Sequence, residues 1–154
     1  MEEKKFEGTE NCNSESDRAS SPLNAGEIYV PVSIFTNGAS GLESISKYLK
    51  ENIGLRYCNI AEILNRDDRT IWGACHDASA KAEDFTAEES SVRIPVSIFS
   101  DRSLSVLEAL AWYMKEELNL RLCSIAGLLN KDQRTVWTVY NRARKKRRHN
   151  AQAN

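Results

Sequence analysis

No stretch of this chain approaches the run of about eighteen consecutive apolar residues that a transmembrane helix requires. The first residues are polar and acidic, whereas a secretory signal peptide begins with basic residues that lead into an apolar segment. From these two absences we expect a cytoplasmic protein that has no membrane partner.

Residues that could hold a metal or perform catalysis are also few. The four cysteines form no Cys-x-x-Cys pair, and His76 and His149 have no partners at the spacing of metal ligands. The sequence contains no glycine-rich phosphate loop and no readable pairing of a nucleophile with a base. We therefore expect small, buried, reduced thiols, including Cys58 and Cys123 within predicted helices, no metal or cofactor, and no enzymatic activity.

An internal repeat is the strongest positive feature of the sequence. VPVSIF at residues 30–35 returns as IPVSIF at residues 94–99, an offset of 64. One additional residue in the second copy changes the offset to 65, which relates Trp72 to Trp137 and holds to the end of the predicted helices. Two copies at this period indicate a duplicated domain rather than a solenoid array.

Each copy predicts a first helix after its proline-containing segment. The segment should be extended, because proline disfavours helix at itself and at the residue before it. Ser40 with Glu43, and Ser105 with Glu108, fit the capping box that begins a helix. The predicted buried stripes of these two helices are Leu42, Ile45, Leu49 and Ile53, and Leu107, Leu110, Ala111, Met114 and Leu118.

Residues 121–148 predict two further helices joined by a tight turn. Asn130 suits the left-handed conformation at a helix C-terminus, and Asp132 is a good N-cap for the next helix. A short helix, a tight turn and a second helix with a polar, basic outer face describe a helix-turn-helix. The predicted buried positions are Leu122, Ile125, Ala126 and Leu129 in the first helix, and Val136, Val139 or Tyr140, and Ala143 in the second.

This stretch resembles the helix-turn-helix of sigma factor region four and of LuxR-type response regulators. The shared pattern is, in order, Ile125-Ala126, Leu129-Asn130, Thr135-Val136 and the basic run Arg142-Ala143-Arg144-Lys145-Lys146. Asn130 replaces the usual glycine of the turn, and Arg121 replaces the usual serine cap of the first helix. The resemblance covers residues 121–148 and implies a helix-turn-helix.

The expected fold is all-α, with two duplicated three-helix helix-turn-helix units that are each preceded by a short extended PVSIF segment. Units this small should share an interface, since each would be marginally stable alone. The predicted divisions are a disordered acidic tail at 1–27, helix-turn-helix repeat 1 at 28–82, an acidic linker at 83–91, repeat 2 with its basic end at 92–148, and a disordered tail at 149–154.

The two repeats differ in charge. Residues 28–82 carry six basic and six acidic side chains, whereas residues 92–150 carry twelve basic and five acidic ones. Affinity for duplex DNA is largely phosphate neutralisation, so repeat 2 should dominate binding. The candidate DNA-binding residues are Arg121, Gln133, Arg134, Thr135, Trp137, Thr138, Asn141, Arg142, Arg144, Lys145, Lys146, Arg147 and Arg148, with Arg56, Arg66 and Arg69 as auxiliary contacts from repeat 1.

Structural alternatives exist for several of these candidates. The basic end can be a solvated helix terminus that is favourably placed against the helix dipole. Tryptophan recurs at positions 72 and 137, which favours packing against the PVSIF segment or the sister repeat over contact with DNA. Arg134 and Arg69 can form an ion pair with a nearby aspartate instead of reaching a base or a phosphate.

The function that these observations favour is sequence-specific binding of double-stranded DNA through repeat 2, with repeat 1 auxiliary, in transcriptional regulation. One alternative is a protein-interaction adaptor whose helix-turn-helix units bind RNA polymerase or another transcription protein. A second alternative is the DNA-recognition subunit of a recombinase or of a phage packaging system, since one fold serves many functions.

Overall fold

The computed structural model describes residues 28–81 and 91–153, which fold into six α-helices and one two-stranded sheet. The predicted tail at 1–27 lies outside the described residues, and so does the predicted linker apart from residue 91. Most of the described residues are helical and the two strands have three residues each, which confirms the all-α class. None of the helices within the described ranges is both long enough and apolar enough to cross a membrane.

The described residues form two halves, residues 28–81 and residues 91–153, that have the same order of elements. The first half contains β1 (Tyr29–Pro31), a 3-10 helix (Val32–Thr36), α1 (Gly41–Glu51), α2 (Tyr57–Leu64) and α3 (Asp68–Lys81). The second half contains β2 (Arg93–Pro95), a 3-10 helix (Val96–Ser100), α4 (Val106–Glu116), α5 (Leu122–Leu129) and α6 (Gln133–Gln152).

Both predicted capping boxes are present at the starts of α1 and α4. The Ser40 hydroxyl accepts from the Glu43 backbone N–H at 3.3 Å, and the Glu43 carboxylate accepts from the Ser40 N–H at 3.1 Å. The corresponding distances for Ser105 and Glu108 are 3.2 Å and 3.0 Å. Each box satisfies two backbone donors that the first turn of a helix leaves without a partner, and this fixes where the helix begins.

Asparagine ends the second helix of each half, as predicted for Asn130. Asn65 and Asn130 adopt left-handed conformations with φ of 52° and 50°. The residue after each asparagine then donates back into the helix, Arg66 N–H to the Ala61 carbonyl at 2.8 Å and Lys131 N–H to the Ala126 carbonyl at 3.0 Å. These bonds satisfy carbonyls at the helix end and turn the chain sharply into the third helix.

The PVSIF segments are only partly extended, which corrects the prediction. Each is a strand as far as its proline and a 3-10 helix from the following valine. The short strands pair antiparallel, and the Val32 N–H donates to the Val92 carbonyl at 3.1 Å while the Val96 N–H donates to the Ile28 carbonyl at 2.9 Å. Beyond this pairing the described residues provide no further partner strand, so the backbone closes its hydrogen bonds locally in a 3-10 turn.

The expected interface between the repeats is present and symmetric. Val30 lies opposite its own counterpart Ile94 in the β1–β2 register. The ring centroids of Phe35 and its counterpart Phe99 are 5.9 Å apart. Because residues meet their own counterparts along this line, an approximate two-fold axis relates the two halves.

Gly41 and its counterpart Val106 also meet near this axis. A Cβ atom added at Gly41 would come within 2.9 Å of Cγ1 of Val106, closer than carbon atoms pack. The absence of a side chain at position 41 therefore allows the first turns of α1 and α4 to approach each other.

Each half contributes to the core of the other half. The α2 helix packs on the 3-10 helix of the second half, and α5 packs on the 3-10 helix of the first half. Two polar contacts also cross the interface: the Asn65 amide donates to the Ser100 carbonyl at 3.2 Å, and the Arg66 guanidinium donates to the Leu104 carbonyl at 3.4 Å. The buried apolar residues of both halves consequently form one continuous cluster.

Two further predictions are wrong at the ends of helices. The predicted buried stripes include Ile53 and Leu118, but these side chains are 43% and 37% exposed. The reason is that α1 ends at Glu51 and α4 ends at Glu116, so both residues come after the last turn of their helix and not on its buried face. Residues 149–152, which were assigned to a disordered tail, continue α6. Near this end, the Asn150 amide donates to the Ser103 hydroxyl at 3.2 Å and ties α6 to the segment before α4.

Candidate nucleic-acid interface

The α6 helix has one buried face and one solvent-exposed face. Val136, Val139 and Ala143 are buried, and they direct this face of α6 towards α4 and α5. With 100° between successive residues, the opposite face carries side chains at intervals of three and four residues. Along the helix, this outer face consists of Arg134, Trp137, Thr138, Asn141, Lys145 and Arg148.

Most of the predicted site residues are accessible to a ligand. Asn141 and Thr138 are half-buried, and each uses one donor for a bond within the helix. The Thr138 hydroxyl donates to the Arg134 carbonyl at 2.9 Å, and the Asn141 amide donates to the Trp137 carbonyl at 3.0 Å. An amide group has two N–H donors and an acceptor oxygen, so Asn141 retains both kinds of group for a base edge. The exposed candidates are Arg121, Gln133, Arg134, Thr135, Trp137, Arg142, Arg144, Lys145, Lys146 and Arg148.

Lys146 and Arg147, which the sequence analysis gave as candidate DNA contacts, also have structural partners on α4. The Lys146 ammonium lies 2.7 Å from the carboxylate of Glu108, the capping residue of α4. The Arg147 guanidinium stacks 3.8 Å from the centre of the Trp112 ring, also on α4. These two cations fasten the C-terminal part of α6 to α4 and so hold the outer face in a defined orientation.

The first half contains the counterpart of the ion pair between Lys146 and Glu108. The Lys81 ammonium lies 2.9 Å from the Glu43 carboxylate, and this pair is the counterpart of Lys146 with Glu108. Burial alone would raise the pKa of Glu43, but the bonds from Lys81 and Ser40 together hold that pKa below its usual value. The repetition of this ion pair in both halves indicates a structural role for Lys146.

Tyr140 also connects α6 to α4. Its hydroxyl donates to the Glu116 carboxylate on α4, and this bond, together with partial burial, raises the pKa of Tyr140 above its usual value. The prediction that Val139 or Tyr140 would be inside is thus resolved: Val139 is buried, and Tyr140 is half-buried at the edge of the α4–α6 contact.

Arg121 and Asp132 lie at the starts of α5 and α6. Arg121 is the N-cap residue of α5 and is exposed, in a position from which its guanidinium can extend into solvent. Asp132 is the predicted N-cap of α6, but its side chain accepts no capping bond. Between these helices, a depression lined by Gly127, Asn130 and Thr135, among others, follows the turn.

The first half presents a different surface at the matching positions. Arg69 is exposed on α3, and Arg56 is exposed as the N-cap of α2. The third predicted auxiliary contact, Arg66, is half-buried and donates from its guanidinium to the Leu104 carbonyl across the interface. In the part of the chain that the structure describes, no ion pair joins Arg69 or Arg134 to an aspartate.

The two tryptophans that recur in the repeat have different environments. Trp72 is half-buried, and its ring stacks on His76 with centroids 5.2 Å apart. Trp137 is 57% exposed, so the expectation that it packs against the PVSIF segment or the sister repeat is wrong. An exposed tryptophan in the middle of a basic outer face is a candidate contact for a ligand.

The charge of the third helix also differs between the halves. Seven lysine or arginine residues and no acidic residue lie on α6, whereas α3 carries two basic and two acidic residues. Asp77 of α3 stands where α6 has Arg142. Lys146 and Arg147 contact side chains of α4. The positive charge that α6 presents to solvent therefore comes chiefly from Arg142, Arg144, Lys145 and Arg148.

Sequence reasoning did not identify the residues of α4 that support this face. The sequence pattern indicates Glu108 as a cap but not as the partner of Lys146, and it gives no role to Trp112. A signal was available, because a glutamate and a lysine recur 38 residues apart in both copies, at 43 and 81 and at 108 and 146. That recurrence could have suggested a contact between the first and third helices.

The cysteines lie in three different environments among the described residues. Cys75 is buried, Cys58 is half-buried and Cys123 is exposed, so the expectation of buried thiols fails for Cys123. Within residues 28–81 and 91–153, no three or more His, Cys, Asp and Glu side chains cluster in a way that could hold a metal ion.

Comparisons with known proteins return no matching protein family, no matching curated protein and no matching solved structure.

Proposed function

We propose that the chain binds double-stranded DNA in a sequence-specific manner and regulates transcription in the cytoplasm, with α5 and α6 acting as a helix-turn-helix. The observation that carries this proposal is the outer face of α6, where Arg134, Asn141, Lys145 and other hydrogen-bonding side chains lie on one exposed face of a helix that has no acidic residue.

The dimensions of α6 support insertion into a groove. The major groove of B-DNA admits one α-helix, and arginine and asparagine are the side chains that pair most directly with guanine and adenine edges there. With twenty residues, α6 is about 30 Å long, so its N-terminal part can reach bases while its basic C-terminal part stays near the backbone. In this arrangement Arg134, Trp137, Thr138 and Asn141 read the bases.

Phosphate contacts supply most of the affinity in the proposed complex. Arg142, Arg144, Lys145 and Arg148 are exposed in the middle and the C-terminal half of α6, and Arg121 adds a cation at the start of α5. Lys146 and Arg147 contribute indirectly, because their contacts with α4 set the angle at which α6 leaves the core.

The approximate two-fold relation of the halves gives α3 an auxiliary part. B-DNA has a local two-fold axis, and helix-turn-helix dimers use matching symmetry to read two half-sites. Here one chain supplies both helices, but Asp77 and the neutral charge of α3 weaken its hold on phosphates. We therefore propose an asymmetric site in which α6 reads one half strongly and α3, through Arg69, the other half weakly.

The test is fluorescence anisotropy with a labelled duplex of mixed sequence at several salt concentrations, followed by selection of the preferred sequence. We expect a log–log slope of about −4 or steeper, which corresponds to four or more neutralised phosphates at about 0.9 per contact. Absence of binding at low salt would refute the proposal.

A charge-matched pair of variants makes this test specific. Replacing Lys145 and Arg148 with glutamine should make the slope shallower by about 1.8, since two phosphate contacts are lost. Replacing Arg93 and Lys115 with glutamine removes the same charge from β2 and α4, and the slope should remain near that of the wild type. Equal effects of the two double variants would mean that binding follows net charge rather than α6.

Exposed Trp137 favours one alternative, a protein-interaction adaptor, because exposed aromatic residues are common anchors of protein interfaces. The Lys145 and Arg148 double variant separates the two functions. An adaptor should retain its protein partner, such as RNA polymerase, when these charges are removed, whereas a DNA-binding regulator should lose DNA.

A further inference from the structure

The two recurring tryptophans are followed, one helical turn later, by different residues. In the first half, the Trp72 ring stacks on His76, with ring centroids 5.2 Å apart and 21° between the ring planes. The repeat places Asn141 where the first half has His76. Asparagine has no ring to stack on Trp137, and its amide group instead donates to the Trp137 carbonyl at 3.0 Å. Trp137 is 57% exposed, and none of the large hydrophobic residues that the structure describes is more exposed.

The neighbours of Trp137 on the outer face of α6 are polar or charged. Arg134 precedes it by three residues and Asn141 follows it by four, so both lie beside it on the same face. In the proposed complex this face lies in the major groove. An indole ring placed over a polar base edge would displace water from hydrogen-bonding groups without replacing the lost bonds, which is costly. The position of Trp137 therefore calls for an apolar partner in the groove.

The major groove offers one such apolar group. Each base pair presents a pattern of hydrogen-bond donors and acceptors there, and the C5-methyl group of thymine is the only apolar group in these patterns. Contact between an aromatic ring and this methyl group removes apolar surface of both from water, which stabilises the complex through the hydrophobic effect.

Asn141 favours an adenine in the same region. Its amide uses one N–H for the Trp137 carbonyl, and the second N–H and the oxygen remain for a base. Asparagine uses such a pair of groups to bind adenine N7 and N6. Four residues of an α-helix rise about 6 Å, which is close to two base-pair steps of about 3.4 Å. Trp137 and Asn141 therefore face base pairs that are at most about two steps apart, and both favour A·T pairs.

We propose that Trp137 packs on the C5-methyl group of a thymine, so that α6 selects an A·T base pair at the position that this ring faces. The inference rests on the DNA binding proposed above and names the base that this part of the site takes. Trp72 is half-buried, and its ring stacks on His76, so α3 does not present an equivalent apolar surface. The thymine preference should therefore occur in the half-site of α6 and not in that of α3.

The experiment uses the full chain and the duplex obtained by selection, with each thymine replaced in turn by deoxyuridine. Deoxyuridine pairs with adenine as thymine does and lacks only the methyl group. Anisotropy at low salt gives the affinity for each duplex. We expect the replacement to weaken binding about fourfold at the position that Trp137 faces, which is the factor for loss of one buried methyl group.

Two variants assign this effect to the indole ring. Trp137→Ala should bind the thymine and deoxyuridine duplexes equally, because it has no ring to contact the methyl group. Since this side chain is mostly exposed, the variant should fold, as judged by its thermal melt. Arg134→Ala is the control, because it removes a neighbouring side chain of the same face. It should weaken binding to both duplexes and retain the fourfold difference between them.

Failure of this inference is distinguishable from failure of the proposed function. Binding that is insensitive to deoxyuridine at every thymine would overturn the thymine contact and leave DNA binding by α6 in place. A fourfold difference that persists in Trp137→Ala would do the same, and so would a selected sequence without thymine. Absence of binding to any duplex would refute the proposed function and this inference with it.

Discussion

Substitution of Ile94 by alanine tests whether the two halves share one core. Ile94 is fully buried in β2, opposite Val30, so its side chain serves both halves. The change removes the equivalent of three buried methylene groups, worth about 2.4 kcal/mol in transfer free energy, and leaves a cavity. We therefore expect a loss of about 3 kcal/mol in the free energy of unfolding, which lowers the urea midpoint by about 2 M for a slope of about 1.5 kcal/mol/M.

The informative result is whether the loss of stability affects one half of the chain or both. Because α2 packs on the second half and α5 packs on the first, the substitution should weaken both halves together. Circular dichroism should show one transition, and hydrogen exchange should show equal loss of protection in α2 and α5. Tyr29→Ala in β1 is the control, since this side chain is 51% exposed and its loss should change stability by less than about 0.5 kcal/mol.

Two separate transitions for Ile94→Ala, or unchanged protection of α2, would refute the shared core. Such a result would mean that each half folds on its own and that the β1–β2 pairing only tethers them.

Two further predictions concern individual ionisable groups. Because the pKa of Glu43 is lowered in the folded state, its carboxylate contributes fully to stability above the usual pKa of 4.5, and this contribution is lost as pH falls through the still lower folded-state value. Acid unfolding of the wild type should therefore show a pH dependence in this range that Glu43→Gln lacks. Identical curves for the two proteins would contradict the role of Lys81 and Ser40 in stabilising the ionised form. Burial raises the pKa of the Cys75 thiol to about 11, whereas Cys123 is exposed. Iodoacetamide at mildly alkaline pH should therefore alkylate Cys123 well before Cys75, as followed by mass spectrometry of the peptides. Equal rates of alkylation would show that the region around Cys75 opens readily.

Local interactions account for the sequence predictions that the structure confirms. The capping boxes at Ser40 and Ser105 need only residues three positions apart, and a left-handed asparagine needs only its own backbone preference. The buried positions of α5 follow from the 3.6-residue period because one side of that helix must face the core. Such features are recognisable from sequence because their partners are neighbours in the chain.

Contacts between distant segments account for the features that the sequence did not predict. The PVSIF segments turn from strand into 3-10 helix because each has only a three-residue partner strand in the other half. Because α6 packs against α4, Lys146 forms an ion pair with Glu108, and Arg147 stacks on the Trp112 ring. A run of basic residues contains no information about which of its members a second helix will engage.

The sequence by itself determined the duplication, the order of helices in each half, their local caps and the concentration of positive charge in the second half. Only the tertiary structure decided how these elements meet. It placed Val30 against Ile94 on an approximate two-fold axis, and it exposed Trp137 while stacking Trp72 on His76. The physical reason is that helix propensity and capping act within a few residues, whereas burial and ion pairing depend on which distant surface comes within contact.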